Sequence, residues 1–424
     1  MMRSTLVLLI LLGLSFNIFG TDPNTEKDLN AMYDKAWDLL PSNVEASLQI
    51  ADEMHDLALD DDNLLALVKS YYVTGYAYYL SNRYDKAAFN YFAGLDVIQK
   101  EGLMSKIFRE RELLLFQNIG LLYEKTYGNK EALDYYTKAI EIAEEIDSRF
   151  DIAVLNYNIG VINFNMKDYE NAENNFQTAL DLYVELDDKK YIAQTYNLFG
   201  VLRMEQGEYE QANEYYKNAI TLCEKHNFLE TKKSWYISNL GESFFDQKEY
   251  DSAKYFYNQA LLLSEKLDDV EKIQWINNNL GDVYYQEGNY QKAIDFYQTS
   301  IALGNTGIID DEYKRSSKNI SEAYEMLGDY KNALAFNDQY IHQAELLEAT
   351  KDKLAEQNAQ YRMREVEWML ELQAQQARIS AMQAANFWFK ISMSILFIVL
   401  VYSAYKSIRY YRGIRAAKKL LLLD

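Results

Sequence analysis

Two prolines, Pro23 and Pro41, are all that this chain of 424 residues contains. Proline removes a backbone donor and clashes with the preceding helical turn, so beyond residue 41 no proline interrupts helix after helix. Cysteine is scarcer still. Cys223 stands alone, which excludes an intrachain disulfide, and its setting in "AITLCEK" reads as a small core residue rather than a reactive thiol. The three histidines, His55, His226 and His342, are far apart along the chain, so a shared metal site is not expected. Catalytic signatures are missing too: no GxGxxG follows a strand pattern, and neither a phosphate-binding loop nor HExxH occurs. Carboxylates abound, but none stands out as an acid/base pair. Enzyme activity and a bound cofactor are accordingly not expected.

Positive charge is also short, and unevenly spread. The formal net charge is -21, yet residues 1–20 carry only Arg3, and residues 406–424 carry six basic residues against Asp424. The acidic excess therefore belongs to residues 21–405, a body that repels phosphate backbones and makes nucleic acid a poor partner. Disorder is excluded by a hydrophobic content of 49%.

Long apolar runs occur at the two ends. "MMRSTLVLLILLGLSFNIFG" has a basic start, an apolar stretch and a small final residue, and predicts a secretory signal peptide over residues 1–20; an uncleaved anchor is the alternative. Phe387 to Tyr405 would rise about 28 Å as a helix, close to a bilayer core, and predicts a single transmembrane span. Lys390 can snorkel, Trp388 suits the interface, and the basic cluster from Lys406 marks the cytoplasmic side. A buried core helix is the alternative. The expected location is a bacterial inner membrane, with the acidic body exported to the periplasm and the 406–424 tail inside.

What is abundant is self-similarity. Glycine recurs at Gly75, Gly120, Gly160, Gly200, Gly241 and Gly281, an interval of 45 and then of 40 or 41. Twelve residues after each comes an alanine, from Ala87 to Ala293, and four further on an aromatic: Tyr91, Tyr136, Phe176, Tyr216, Tyr257 and Tyr297. Turn-like stretches such as "KDYE" and "GNYQ" separate two runs of helical periodicity. Each unit predicts a helical hairpin, with glycine and alanine where the two helices approach closely and the aromatics filling the gap to the next hairpin. A hairpin cannot cover its own apolar face, so the units must stack. Acidic pairs at the joints (Asp61 with Asp62, Asp187 with Asp188, Asp268 with Asp269, Asp310 with Asp311) predict helix N-caps rather than calcium loops.

The spacing in "GYAY…AAFNY" and "GDVY…AIDFY" resembles the tetratricopeptide repeat (TPR) family. The resemblance implies an all-α, TPR-type α-solenoid of about eight hairpins over residues 21–345, with a degenerate first unit and a last one in which Ser321 replaces the glycine. Two departures are a period near 40 rather than 34 and the absence of the proline that usually closes the second helix. Such solenoids line a concave face with the first helix of each hairpin. Asn118, Asn158, Asn239, Asn279 and Asn319 all stand two residues before the repeat position, a column of amides able to pair with the backbone of a protein or extended peptide. In longer-period members of the family, asparagines at this place hold partner peptides. The same amides could instead bond within their own repeats. Tyr157, Trp235, Trp275 and Tyr285 lie on the same faces, as do Glu242 and Asp282, with Glu124, Glu205, Glu322 and Glu325 among them. An aromatic groove with an acidic rim would favour a basic or neutral peptide; ordinary packing is the alternative for the aromatics and a solvated face for the acids.

Residues 346–386 lack Gly and Pro, and Leu347, Leu354, Tyr361, Trp368, Gln375 and Met382 recur every seven, predicting a stalk helix that either pairs as a coiled-coil homodimer or packs alone. This order of parts resembles bacterial membrane-anchored TPR sensors, which implies a cytoplasmic signalling partner. A structural tether for envelope complexes, without signalling, is the second reading.

Overall fold

The computed structural model describes residues 23–353 apart from 127, 229 and 305–310, then 355–356, 360, 388, 391–392, 402–403, 406–407 and 409–410. Among them every regular element is a helix. They pair in sequence: α1 (Pro23–Leu39) with α2 (Val44–Asp60), α3 (Leu64–Leu80) with α4 (Tyr84–Lys100), α5 (Lys106–Lys125) with α6 (Asn129–Glu145), and α7 (Arg149–Asn165) with α8 (Tyr169–Glu185). Then come α9 (Lys189–Glu205) with α10 (Tyr209–His226), α11 (Glu230–Asp246) with α12 (Tyr250–Lys266), α13 (Val270–Gln286) with α14 (Tyr290–Gly304), and α15 (Asp311–Met326) with α16, residues 330–353. Eight hairpins thus occupy the stretch expected to hold them, and α16 runs without a break across the boundary expected at 345.

The repeat glycines explain the pairing. A Cβ on Gly75, Gly120, Gly160, Gly200 or Gly281 would come within about 2.5 Å of the ring sixteen residues later, on Tyr91, Tyr136, Phe176, Tyr216 and Tyr297 respectively. At Gly241 the Tyr257 ring stands at 2.9 Å. The aromatic therefore seats in a socket on its own hairpin and also packs onto the next one, as expected: Tyr216 shares a core cluster with Leu240 and Tyr297 with Ile320. Phe176 meets Phe199 (6.0 Å between centroids) and Tyr257 meets Trp275 (6.2 Å). All six rings are buried, each worth roughly 2–3 kcal/mol of apolar burial. A second aromatic pair clamps the turn: Tyr79 on Tyr84, Phe164 on Tyr169, Phe245 on Tyr250 and Tyr285 on Tyr290, with centroids 5.2–5.9 Å apart.

The terminal hairpins do without sockets. Ser321 hydroxyl donates to the Ala333 carbonyl at 2.8 Å, and the place where the ring would stand is Asn337. In the first hairpin Ser47 donates to the Ala36 carbonyl across the same kind of gap.

At two joints the acidic pair divides its work; Asp310, of the last pair, lies outside the described residues. Asp187 and Asp268 take the left-handed conformation that ends a helix (φ 57° and 54°), and the following residue caps the next one. Asp188 accepts from the Lys190 and Tyr191 backbone N–H groups, and Asp269 from that of Lys272. At Asp61–Asp62 the pattern slips by one, so that Asp62 is left-handed and Asn63 caps. These turns stop helices where proline would in the shorter repeat.

Contacts between hairpins run from each second helix to the next first helix and also directly between first helices, α9 to α11, α11 to α13 and α13 to α15 among them. The chain divides into two units, residues 1–361 and 362–424. No helix among the described residues is long and apolar enough to cross a membrane. The predicted signal peptide lies outside the described residues, as do the stalk from 361 to 386 and most of the 387–405 span.

Candidate functional site

First helices carry the candidate residues because their i, i+4 and i+7 positions share one face. On α11 that face holds Trp235, Asn239 and Glu242, and on α13 Lys272, Trp275, Asn279 and Asp282. Helices α7, α9 and α11 together enclose a cavity of about 400 Å³. Tyr157 enters it from α7, Gln194 and Asn197 from α9, and Thr231, Lys232, Trp235, Tyr236 and Asn239 from α11. Three residues singled out by pattern, Tyr157, Trp235 and Asn239, are thereby brought together. Asn239 Nδ2 donates to Asn197 Oδ1 at 2.9 Å, and Lys232 Nζ to Gln194 Oε1 at 2.6 Å. Burial lowers the Lys232 ammonium and pushes the Tyr157 phenol up to about 12. Asn158, one repeat earlier, is half-buried beside this region.

One repeat further along, the same register is filled by the protein itself. Arg315, from α15, donates to Asn279 Oδ1 at 2.7 Å, pairs with Asp282 Oδ2 and lies 3.5 Å from Glu312. Asp282 Oδ1 accepts from Asn319 Nδ2 (2.8 Å) and from the socket phenol of Tyr297 (2.7 Å). Asn279, only 5% exposed, has its Nδ2 left without a partner among the described residues.

Between these regions lies Lys272, fully buried, its Nζ 3.2 Å from the Trp235 ring centroid and 3.9 Å from that of Trp275, with no hydrogen-bond partner among the described residues. Burial lowers its amine to about 6 against the opposing pull of Glu242. Glu242 is itself pushed up to about 7, by burial first and by Asp246, with Arg315 and Lys272 opposing.

Other candidates serve the hairpins. Asn118 donates to the Leu114 carbonyl at 2.8 Å and to the Tyr72 hydroxyl at 3.3 Å. Glu124 accepts from the socket phenol of Tyr136 at 3.0 Å and is raised by burial. Tyr285 belongs to the turn clamp. The pattern overlooked Lys232, Lys272 and Arg315. A signal was present for Lys272: Trp235 and Trp275 stand one repeat apart, and a lysine three residues before the second tryptophan shares its face with both.

Residues 151–225, 233–306 and 272–344 match the tetratricopeptide repeat family model. Solved structures with a similar fold include a Rap protein complexed with competence and sporulation factor, 16% identical, with a TM-score of 0.51 over 78% of this chain and 99% of that one. Aspartyl phosphate phosphatase F from Bacillus subtilis is 14% identical, with a TM-score of 0.52 over 84% of this chain and 95% of that one. The Rap conjugation gene regulator of the plasmid pLS20, in complex with the Phr* peptide, is 18% identical, with a TM-score of 0.50 over 76% and 96%. At these identities the likeness concerns the fold. No curated protein sequence matches the chain. From the forty-residue period, the glycine sockets and the family match, the hairpins of residues 151–344 belong to the tetratricopeptide repeat family.

Proposed function

We propose that this chain is a membrane-anchored binding module that takes a protein or extended peptide against its first helices and relays occupancy to a cytoplasmic partner. The observation that carries the binding half is the cavity among α7, α9 and α11. It combines an indole, two phenols and an amide pair whose outward donor and acceptor are unspent, which is the chemistry a peptide group requires. One structure of similar fold is a complex with the Phr* peptide, and the ligand class is brought here from it as part of the proposal. The anchoring half rests on sequence: a leader at 1–20, a stalk at 346–386, a span at 387–405 and a basic tail at 406–424, with the repeats outside the inner membrane.

A photoreactive phenylalanine analogue tests the binding half. Placed at Asn239 in the full chain and activated in intact cells, it should give a discrete adduct. The same analogue at Tyr255, which is exposed on second helix α12, should give none. Equal labelling at both positions, or none at either, would reject the groove.

A further inference from the structure

The cavity carries one cationic side chain and several polar groups with bonding capacity to spare. The amide pair leaves Asn197 Nδ2 able to donate and Asn239 Oδ1 able to accept, neither with a partner among the described residues. That is the complement of a single peptide group, which presents one carbonyl and one N–H. Around the pair, Lys232 and the Trp235 indole can only donate, whereas the Tyr157, Tyr236 and Thr231 hydroxyls can donate or accept. Lys232 stands on the exposed lip; its Nζ has one bond, to the neutral amide of Gln194, and no carboxylate in ion-pair range among the described residues. Tyr236 is 3% exposed and its hydroxyl has no partner among the described residues. The Tyr157 hydroxyl and the Trp235 indole N–H likewise have no hydrogen-bond partner among the described residues.

Among the described residues no aspartate or glutamate lines the cavity, in a chain that has 64 of them. A cation has no counter-charge there. Nor can a cation use the aromatic wall well, because Lys272 Nζ already sits over the Trp235 ring. A site with one ammonium that no carboxylate offsets, an indole N–H and hydroxyls able to donate suits an acceptor-rich anion. The acidic body opposes that choice only at long range, since screening at physiological salt acts beyond about 8 Å.

We propose that this cavity is the anchor subsite of the peptide site, holding one peptide group between Asn197 and Asn239 and an acidic side chain, aspartate or glutamate, against Lys232. The inference rests on the peptide-binding reading and sharpens it, since the net charge of the whole body favours a basic ligand. Specificity then follows the few groups that touch the ligand rather than the overall field.

The test uses fluorescein-labelled octapeptide pools, acetylated at one end and amidated at the other so that no terminal carboxylate competes. The pools are randomised over uncharged residues and share one central Glu, Gln or Lys. Anisotropy is read against the full chain in detergent. The Glu pool should bind on the order of tenfold more tightly than the Gln pool, with the Lys pool weakest. Lys232→Gln should abolish the Glu-over-Gln preference while leaving the Gln pool's affinity in place, and Lys232→Arg should keep the preference. The Gln or Lys pool binding as tightly as the Glu pool would overturn the inference, as would a preference that survives Lys232→Gln. Binding of no pool would instead defeat the peptide reading on which the inference stands.

Discussion

Asn239 and Asn279 hold the same place in consecutive repeats, two residues before the glycine, and meet different neighbours. Across from Asn239 stands Asn197, a short amide whose single bond to it leaves a cavity open on either side. Across from Asn279 stands Arg315, long enough to reach its carbonyl, Asp282 and Glu312 together. A repeated residue is therefore not a repeated function. What an amide does on this face is decided by the length and charge of the side chain that meets it from a neighbouring first helix. The first region keeps a cavity, whereas the second is filled by the chain's own charged side chains.

Three sets of substitutions put that comparison at risk. The sockets are common to both regions, so damage to them should be indifferent to the contents of the groove. Gly200→Val and Gly281→Val each push atoms into a buried ring and should cost about 3 kcal/mol, similarly in the two regions, by chemical denaturation. Unequal losses would mean that the groove supports the frame.

Charge removal should separate the regions. Arg315→Ala strands Asp282 and Asn279 in a largely buried setting and should cost about 2 kcal/mol. Lys232→Ala, on the exposed lip of the cavity, should change stability by less than about 0.5 kcal/mol. Equal costs would erase the distinction between an open and a filled groove.

The smallest effect belongs to the boundary. The Lys272 amine is held down to about 6 in the fold and recovers its ordinary value on unfolding. The unfolded chain therefore binds the extra proton above that value, and stability from this group rises with pH from about 6 to about 10. Glu242, raised to about 7, acts oppositely: its contribution is full below its ordinary value of 4.5 and is lost as pH rises through 7. Above pH 7 the Glu242 contribution is spent and the Lys272 slope is no longer opposed by it. Lys272→Met should raise stability by about 1 kcal/mol at pH 7, and the gain should shrink toward pH 10 in thermal melts. A gain that does not vary with pH would show that shape rather than protonation sets it.

The hairpins were legible because glycine, alanine and aromatic recur at fixed intervals and each has a steric reason to be there. Capping was legible at Asp188 and Asp269, since an acidic side chain before a periodic run has few other uses, and it slipped by one at Asn63 because either neighbour can cap. Asn239 was found by register alone. Whether it was free was not legible, because that depends on a residue some forty positions away. Arg315 falls in the degenerate last repeat, where the pattern is weakest, and it is what occupies Asn279 Oδ1 and Asp282 Oδ2. Nor does a count of lysines distinguish Lys272, sealed between two indoles, from Lys232 on a rim.

Because ring and glycine travel together inside one forty-residue stretch, such a stretch could be duplicated or deleted whole without leaving a socket empty. The junctions between units would absorb the change, and with them the pairing of side chains along the first helices. A chain built this way can acquire a new recognition surface by changing its number of modules while the architecture of each module is inherited intact.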